Sequence, residues 1–470
     1  MDKIKKILED KVVGAQLYVY HNEKNLKYYY GKASILNNKD ISNKTIFRVA
    51  SISKVVVAMG ALKLMEQDKL DINQDISNYL GFKVRNPKYP NDIITTKMLM
   101  VHTSSILDGY DDEDLSHDGI EKGYNGVNGK RYDVKLKDLL TNTNSEYYSD
   151  NTYANYAPGE NFAYSNFGTG ILACIIEKCS NQYLNDFLRE NIFKPLNIDA
   201  SFKAFEIINQ ELISDTFYYA DIENKFLTNV TAQNFIATTY NNFELGNNFR
   251  GPAGGLYISM QDLGKIMQLL MHDGSYNEIE IFKKETIDLM LQMHYLGPNI
   301  EYSAKGLQLK FVDEIDNVLL KGHTGTAYNV RSFMFFEKNS DFGVCFIMNG
   351  GKYQDVTATF NDIQYEVLKY CYENFYLKTA KIVTIDKDLN VWSNQRKIIL
   401  NDMKIESDKL YLSLIDLANI LDVIPKITNE GIFVNNLKIQ SKDNFIDLEE
   451  VLNILKVKYQ KEGISYKIGF

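Results

Sequence analysis

No apolar run in the 470-residue sequence approaches the ~20 residues of a membrane-spanning helix, so no such span is expected. Basic clusters are also missing. Lys and Arg number 52 against 61 Asp and Glu, a net charge of −9, which argues against a nucleic-acid partner. Cysteine is scarce: Cys174, Cys179, Cys345 and Cys371 show no metal-ligand spacing. Cys174 and Cys179 fall in one expected helix and face different directions. Each cysteine sits among apolar residues, where free thiols are commonly buried. Neither a disulfide framework nor a metal or other cofactor is expected, which fits a reducing compartment; an anaerobic habitat leaves the same trace. The start, Met1-Asp2-Lys3-Ile4-Lys5-Lys6, has no apolar core of a secretion leader. A cytoplasmic location is therefore expected, and an extracellular one if a leader has been trimmed away.

What is present is ordinary globular composition, 45% hydrophobic and 24% charged. The length exceeds that of one compact core, so two or more domains are expected. Residues 13–20 and 26–34 read as two strands around the polar turn Asn22-Glu23-Lys24-Asn25. A helix follows from Ser51 to about Asp68, with Val55, Met59, Leu62 and Met65 at helical spacing. Helices are also expected from Asn166 to Cys179, from Leu184 to Phe193, and after the capping box Ser259-Met260-Gln261-Asp262. The acidic stretch Asp108 to Asp118 lacks the glycine and ligand spacing of a calcium loop and reads as a solvated loop at a cleft rim. From residue 307 the pattern returns to strands (307–311, 318–320, 330–336, 342–348), then a helix from about Asp355 to Phe375. The implied fold is α+β: one antiparallel sheet built from both chain ends, flanked by helices, with a helical lobe and a cleft between them.

After residue 376 the texture changes again. Residues 377–395 read as a linker, and 396–470 as a small α+β domain of two 34-residue repeats. Asn401, Lys404, Ile405 and Ser407 match Asn435, Lys438, Ile439 and Ser441, and Asn419-Ile420-Leu421 matches Asn453-Ile454-Leu455. Each copy reads as a hairpin followed by a helix.

Chemistry concentrates at Phe47-Arg48-Val49-Ala50-Ser51-Ile52-Ser53-Lys54, which holds the sole Ser-x-x-Lys of the chain. Residues three apart share a helix face, so Ser51 and Lys54 can meet. The first-turn N–H groups carry partial positive charge, suited to an oxyanion. A desolvated lysine beside the serine can act as its base. Such acyl-transfer chemistry needs a second proton carrier, for which Tyr164-Ser165-Asn166 is the candidate, with Tyr153-Ala154-Asn155 a rival. His323-Thr324-Gly325 lies between two strand-like runs, where glycine lets a substrate approach the backbone. The Thr326 N–H could complete an oxyanion hole with that of Ser51. His102 reads as fixing its own loop.

In this order and spacing, Ser51-x-x-Lys54, Tyr164-x-Asn166 and His323-Thr324-Gly325 resemble the three motifs of the penicillin-recognising serine hydrolases. The nearest branch is the class C β-lactamase-like one, with DD-carboxypeptidases, D-aminopeptidases and esterases. Phe47-Arg48-Val49-Ala50, Lys69-Leu70-Asp71, Val101-His102-Thr103-Ser104-Ser105, Pro158-Gly159 and Gly254-Gly255-Leu256 agree with it, and the resemblance covers residues 10–376. It implies a nucleophile at Ser51, a base at Lys54 and a proton carrier at Tyr164. It also implies substrate binding at Asn166, His323, Thr324 and Gly325, and an oxyanion hole at Ser51 and Thr326. The implied activity is hydrolysis, through an acyl-enzyme, of a small peptide, amide or ester, plausibly one containing a D-amino acid. The alternatives are a β-lactamase, or a β-lactam or peptidoglycan sensor that acylates without turning over. Class C β-lactamases carry lysine where His323 stands. A histidine, with its ordinary pKa of about 6.5, offers a substrate carboxylate a cation only when protonated. The repeat module resembles the N-terminal domain of copper amine oxidases without the histidines a copper site needs, which implies a protein or cell-wall polymer as its partner.

Overall fold

The computed structural model describes residues 2–109, 122–127, 134–237, 243–297, 304–394 and 396–469. Its centre is a nine-stranded antiparallel sheet in which the first strands of the chain pair with strands from residues 295–348. Strand Gly14–His21 lies between Lys24–Ser34 on one side and Phe342–Met348 on the other. Beyond Phe342–Met348 come Val330–Glu337, Leu320–Ala327, Lys310–Val312, Ala304–Lys305 and Tyr295–Leu296. The first hairpin turns on Asn22 and Glu23, both in the left-handed region (φ 45° and 61°), as a tight two-residue loop requires.

Both faces of the sheet are covered, and its central strands are apolar on both. Ala15, Leu17 and Val19 join Phe333, Phe335, Val344 and Phe346 under the terminal helices Asp2–Leu8 and Asp362–Phe375. Tyr18, Met334, Phe336, Cys345 and Ile347 face the opposite way, towards helix Met260–Met271 and the helical lobe. This is the period-2 alternation of a strand with two buried faces. Within the lobe, helix Ser53–Glu66 is buried on almost every side, and helix Asn166–Ser180 packs against it. No helix among the described residues is long and apolar enough to cross a membrane.

Several boundaries differ from the expectation for local reasons. The closing helix begins only at Asp362, because Asn361 and Gln364 form a capping box there. His323 lies inside strand Leu320–Ala327 rather than between two strands. Gly322 and Gly325 weakened the strand signal, although both are needed for close backbone packing.

The stretch 377–395 is not a loose linker. Ile382–Ile385 and Val391–Ser393 are strands of a five-stranded sheet that also contains Arg396–Ile398, Lys458–Glu462 and Ser465–Gly469. In the first repeat, Met403–Glu406 and Lys409–Ser413 form a hairpin before helix Leu414–Leu421. In the second, Phe445–Asp447 pairs instead with Lys409–Ser413 of the first copy, so the copies share a sheet. The helix caps fall at equivalent positions, Ser413 and Asp447. The C-terminal part is bonded to the rest of the chain. Asp422 pairs with Lys381 (2.7 Å) and Arg396 (3.1 Å), and lies 3.7 Å from Lys321 of the His323 strand. Asn419 also makes a reciprocal amide pair with the Met293 backbone.

Candidate active site

A cavity of about 320 Å³ is lined by Ser51, Tyr164, Asn166, Lys310, His323, Thr324 and Thr326. The helical lobe contributes Ser51, and the turn into helix Asn166–Ser180 contributes Tyr164 and Asn166. Two neighbouring strands of the main sheet contribute the rest.

Ser51 follows a strained turn. The chain leaves strand Phe47–Arg48, passes Ala50 in the left-handed region (φ 52°), and enters a 3₁₀ turn that runs into helix Ser53–Glu66. A non-glycine residue there costs roughly 1–2 kcal/mol, so the surroundings must impose it. The surroundings do so from several sides. Ser53 Oγ donates to Ala50 O (2.6 Å) and accepts from Leu256 N (3.0 Å). Ser332 Oγ donates to Val49 O, and Arg48 Nε to Gly254 O, both at 2.9 Å. Gly325 packs on the same turn: a Cβ there would stand 2.3 Å from Val49 O and 3.3 Å from the Ala50 Cβ. Gly325 therefore does not line the cavity. It serves close approach of the strand to the turn that carries Ser51.

Lys54 is fully buried, and its Nζ lies 3.1 Å from Ser51 Oγ, 2.8 Å from Asn166 Oδ1 and 2.7 Å from Ala253 O. Burial drives its pKa from 10.5 down to about 7; Asp108 opposes that fall and Lys310 adds to it. A neutral amine has two N–H groups and one lone pair. The carbonyl oxygens of Asn166 and Ala253 accept only, so they take the two N–H groups. The lone pair is left for the Ser51 hydroxyl, whose hydrogen rotates to suit.

Asp108 was expected in a solvated rim loop, but it organises the site. Its carboxylate accepts from Ser165 Oγ, Asn166 N, Asn166 Nδ2 and Phe167 N at 2.8–3.1 Å, at the N-terminus of helix Asn166–Ser180. A carboxylate only accepts, so the Asn166 NH₂ must face Asp108 and its Oδ1 must face Lys54. Residues 110–118 of that acidic stretch lie outside the described residues. Asp108→Asn would put an amide against donors and remove a charge that favours protonated Lys54. Stability should fall by about 2 kcal/mol or more, and the acid limb of the pH–rate profile should move below that of the wild type. A thermal melt together with the pH profile checks this, since a purely structural role would leave the limb in place.

Tyr164 stacks on His102 (ring centroids 4.6 Å), with Lys54 Nζ 4.8 Å from its ring centre and Lys305 Nζ 5.8 Å. The rival Tyr153 is buried, donates to Leu140 O (3.0 Å), and has its pKa pushed far up by burial. His102 holds more than its own loop. Its carbonyl accepts from Ala163 N, and its Nδ1 accepts from Ser165 N (3.1 Å), so it fixes the turn that carries Tyr164.

His323 departs from the expectation of a cation that titrates near neutrality. Its ring is buried with only 1% exposure, and burial together with Lys305, Lys310 and Lys54 holds its pKa well below 6.5. Nδ1 lies 2.5 Å from Thr324 O, so that nitrogen carries the hydrogen of a neutral ring. Asp108, Lys310, Lys305 and Ala253 lie in no recognisable motif, and no sequence signal marked them.

The family model described as "Beta-lactamase" matches residues 2–365. The chain is similar to "Protein flp" of Staphylococcus aureus strain N315, 27% identical over 200 residues, 41% of this chain and 35% of that protein. It thus spans about a third of the length of that relative. Among solved structures it is similar to the octameric penicillin-binding protein homologue from Pyrococcus abyssi. There the TM-score is 0.58 at 16% identity, over 100% of this chain and 94% of that one. It is also similar to the D-amino acid amidase from Ochrobactrum anthropi SV3. Here the TM-score is 0.56 at 19% identity, over 79% of this chain and 97% of that one. At these identities the two structures speak for the fold.

Proposed function

The chain belongs to the beta-lactamase family, and from that premise we propose that it hydrolyses a small peptide, amide or ester, plausibly one containing a D-amino acid, through an acyl-enzyme at Ser51. The observation that carries this reading is the Lys54 amine, whose two N–H groups are engaged and whose third position meets Ser51 Oγ at 3.1 Å. In this reading Ser51 Oγ attacks the carbonyl carbon while its proton passes to the Lys54 lone pair. The N–H groups of Ser51 and Thr326 hold the oxyanion. Collapse of the tetrahedral intermediate breaks the scissile bond, and the Tyr164 hydroxyl delivers a proton to the leaving amine or alkoxide. Water then attacks the ester carbonyl of the acyl-enzyme and gives a proton to the Tyr164 oxygen, and the proton held by Lys54 returns to Ser51 Oγ as the acid leaves. Asn166 keeps Lys54 oriented, since Asp108 holds its amide from the other side. Two kinds of observation support the substrate class: the fold shared with a D-amino acid amidase, and a neutral His323 in place of a lysine.

The test is a panel of D-aminoacyl amides, D-alanyl-D-alanine peptides, p-nitrophenyl esters and nitrocefin, with intact-mass analysis of each reaction. Turnover of an amide or ester with a transient adduct at Ser51 is expected. A stable adduct without turnover would make the protein a sensor, and fast nitrocefin hydrolysis would make it a β-lactamase. Neither turnover nor adduct on any member would end the hydrolase reading.

A further inference from the structure

We propose that Gln308 is a positioning residue for the proton carrier: from the sheet it caps the helix that ends at His102, and through the His102 ring it holds Tyr164 where a leaving group must be protonated. The inference rests on the hydrolase reading and adds a residue, outside every motif of the sequence, on which the same site depends.

Strands Ala304–Lys305 and Lys310–Val312 are joined by residues 306–309, with Gly306 N donating to Leu309 O at 2.9 Å. This connection does not face solvent. Leu307 and Leu309 are fully buried in the same core cluster as Leu99 and Met100 of the lobe. Between them Gln308 is 1% exposed and holds φ at 56°. Glycine adopts that conformation freely, whereas a residue with a Cβ keeps it only where its surroundings impose it. What the glutamine adds there is a set of bonds from sheet to lobe. Its backbone N donates to Met100 O (2.9 Å), and its Nε2 to Leu99 O (3.2 Å) and Thr169 Oγ1 (3.4 Å). Leu99 and Met100 belong to the last turn of helix Thr96–Val101, where carbonyls lack partners within the helix. Thr169 lies one turn past Asn166 in helix Asn166–Ser180. One residue of the hairpin thus joins two lobe helices that shape the site.

Helix Thr96–Val101 is capped by His102, itself in the left-handed region (φ 62°). The residues on either side of Tyr164 both bond to this histidine: Ala163 N donates to its O (2.9 Å) and Ser165 N to its Nδ1 (3.1 Å). Its ring stacks on that of Tyr164, with centroids 4.6 Å apart. Burial and Lys305 hold the His102 pKa well below 6.5, so the ring is neutral, and with Nδ1 accepting, its hydrogen sits on Nε2. Nε2 and Gln308 Oε1 are both buried without a hydrogen bond among the described residues. Gln308 nonetheless raises the His102 pKa against burial and the lysines, which puts this donor and this acceptor near one another. The position of Tyr164 is set by His102, and that of His102 by Gln308.

The experiment uses the full chain and the p-nitrophenyl and ethyl esters of N-acetyl-D-alanine, or of the acyl group that the panel prefers. p-Nitrophenolate leaves without a proton, whereas ethoxide needs the one that the Tyr164 hydroxyl gives. The readout is kcat/KM on each ester. Gln308→Gly keeps the backbone bond to Met100 O, relieves the left-handed conformation and removes the amide. On the ethyl ester it should lower kcat/KM on the order of tenfold or more, and on the p-nitrophenyl ester by no more than about twofold. Gln308→Met, which keeps the bulk and loses the amide, should repeat the pattern. On a Tyr164→Phe background Gln308→Gly should add nothing, because the group it places is gone. A fluorophosphonate label, whose fluoride leaves without a proton, should react with Ser51 of both Gln308 variants at close to the wild-type rate. Equal losses on the two esters, losses that add in full to those of Tyr164→Phe, or absence of labelling in both variants would make Gln308 a brace of the fold alone. Each of these overturns the proposal and leaves the hydrolase reading standing. A wild type that hydrolyses the p-nitrophenyl ester only would remove the proton carrier, and this proposal with it, while keeping the acyl-enzyme. A wild type that neither hydrolyses nor labels would end the hydrolase reading and the proposal together.

Discussion

Ser51→Ala is expected to abolish both turnover and covalent labelling while leaving the fold intact. Removing the nucleophile from a unit of cooperating groups costs on the order of 10⁴-fold or more. The neighbouring serines are not placed to substitute. Ser53 Oγ is buried and bonded to Ala50 O and Leu256 N, where it braces the turn. Ser165 Oγ is engaged by Asp108 and Gly168 N, and Ser104 is only 2% exposed. Among the described residues the Ser51 side chain bonds to Lys54 alone, so its loss should change the melting temperature little. The measurements are kcat/KM on the best ester of the panel and peptide mapping after a fluorophosphonate label. An adduct mapped to Ser53 or Ser104 in the wild type, or full activity in Ser51→Ala, would overturn the assignment.

The same turn marks how far the sequence could be read. Ser51 and Lys54 were legible because three residues along a helix is a fixed geometric relation, independent of the rest of the chain. The sheet built from both chain ends was also legible locally: residues 13–34 and 330–348 carry apolar and aromatic runs dense enough to declare strands. Strand Leu320–Ala327 was harder to read, since Gly322 and Gly325 are there for backbone contact with Met334 and Val49 and contribute no apolar side chain. Asp108 sat in an acidic stretch that reads as solvent-facing. Its use comes from a helix that starts 58 residues later, as the Asn166 bonds show. The charge state of His323 was beyond local reading, because it depends on burial and on lysines from three other segments. The apparent linker after residue 376 contains a strand, Ile382–Ile385, whose partner is Ser465–Gly469, about eighty residues further on.

The pH profile should belong to Lys54. In the proposed mechanism it accepts the Ser51 proton and must be neutral to do so, and its pKa sits at about 7 in place of 10.5. Below that value the ammonium has no lone pair, so kcat/KM should fall tenfold per pH unit as pH drops below about 7, and level off above it. An ordinary lysine would put this limb near 10.5, outside the useful range. His102 and His323 are both held neutral well below 6.5, so neither should add an inflection near neutrality. Lys54→Met keeps an unbranched side chain one heavy atom shorter and removes the base. It should lower kcat/KM by about 10²–10⁴-fold, the usual contribution of general-base catalysis, and erase the limb. Its effect on stability has two opposing parts. Asn166 Oδ1 and Ala253 O lose their donor, at about 1–3 kcal/mol each when buried, while the cost of holding an amine at full burial is relieved. A thermal melt should therefore show a folded protein with a modest shift, which separates lost chemistry from lost structure. A limb that survives unchanged in Lys54→Met, or a wild-type profile flat between pH 5 and pH 9, would assign the base to another group. Tyr164 would then be the next to test, because it shares the pocket and lies against Lys54.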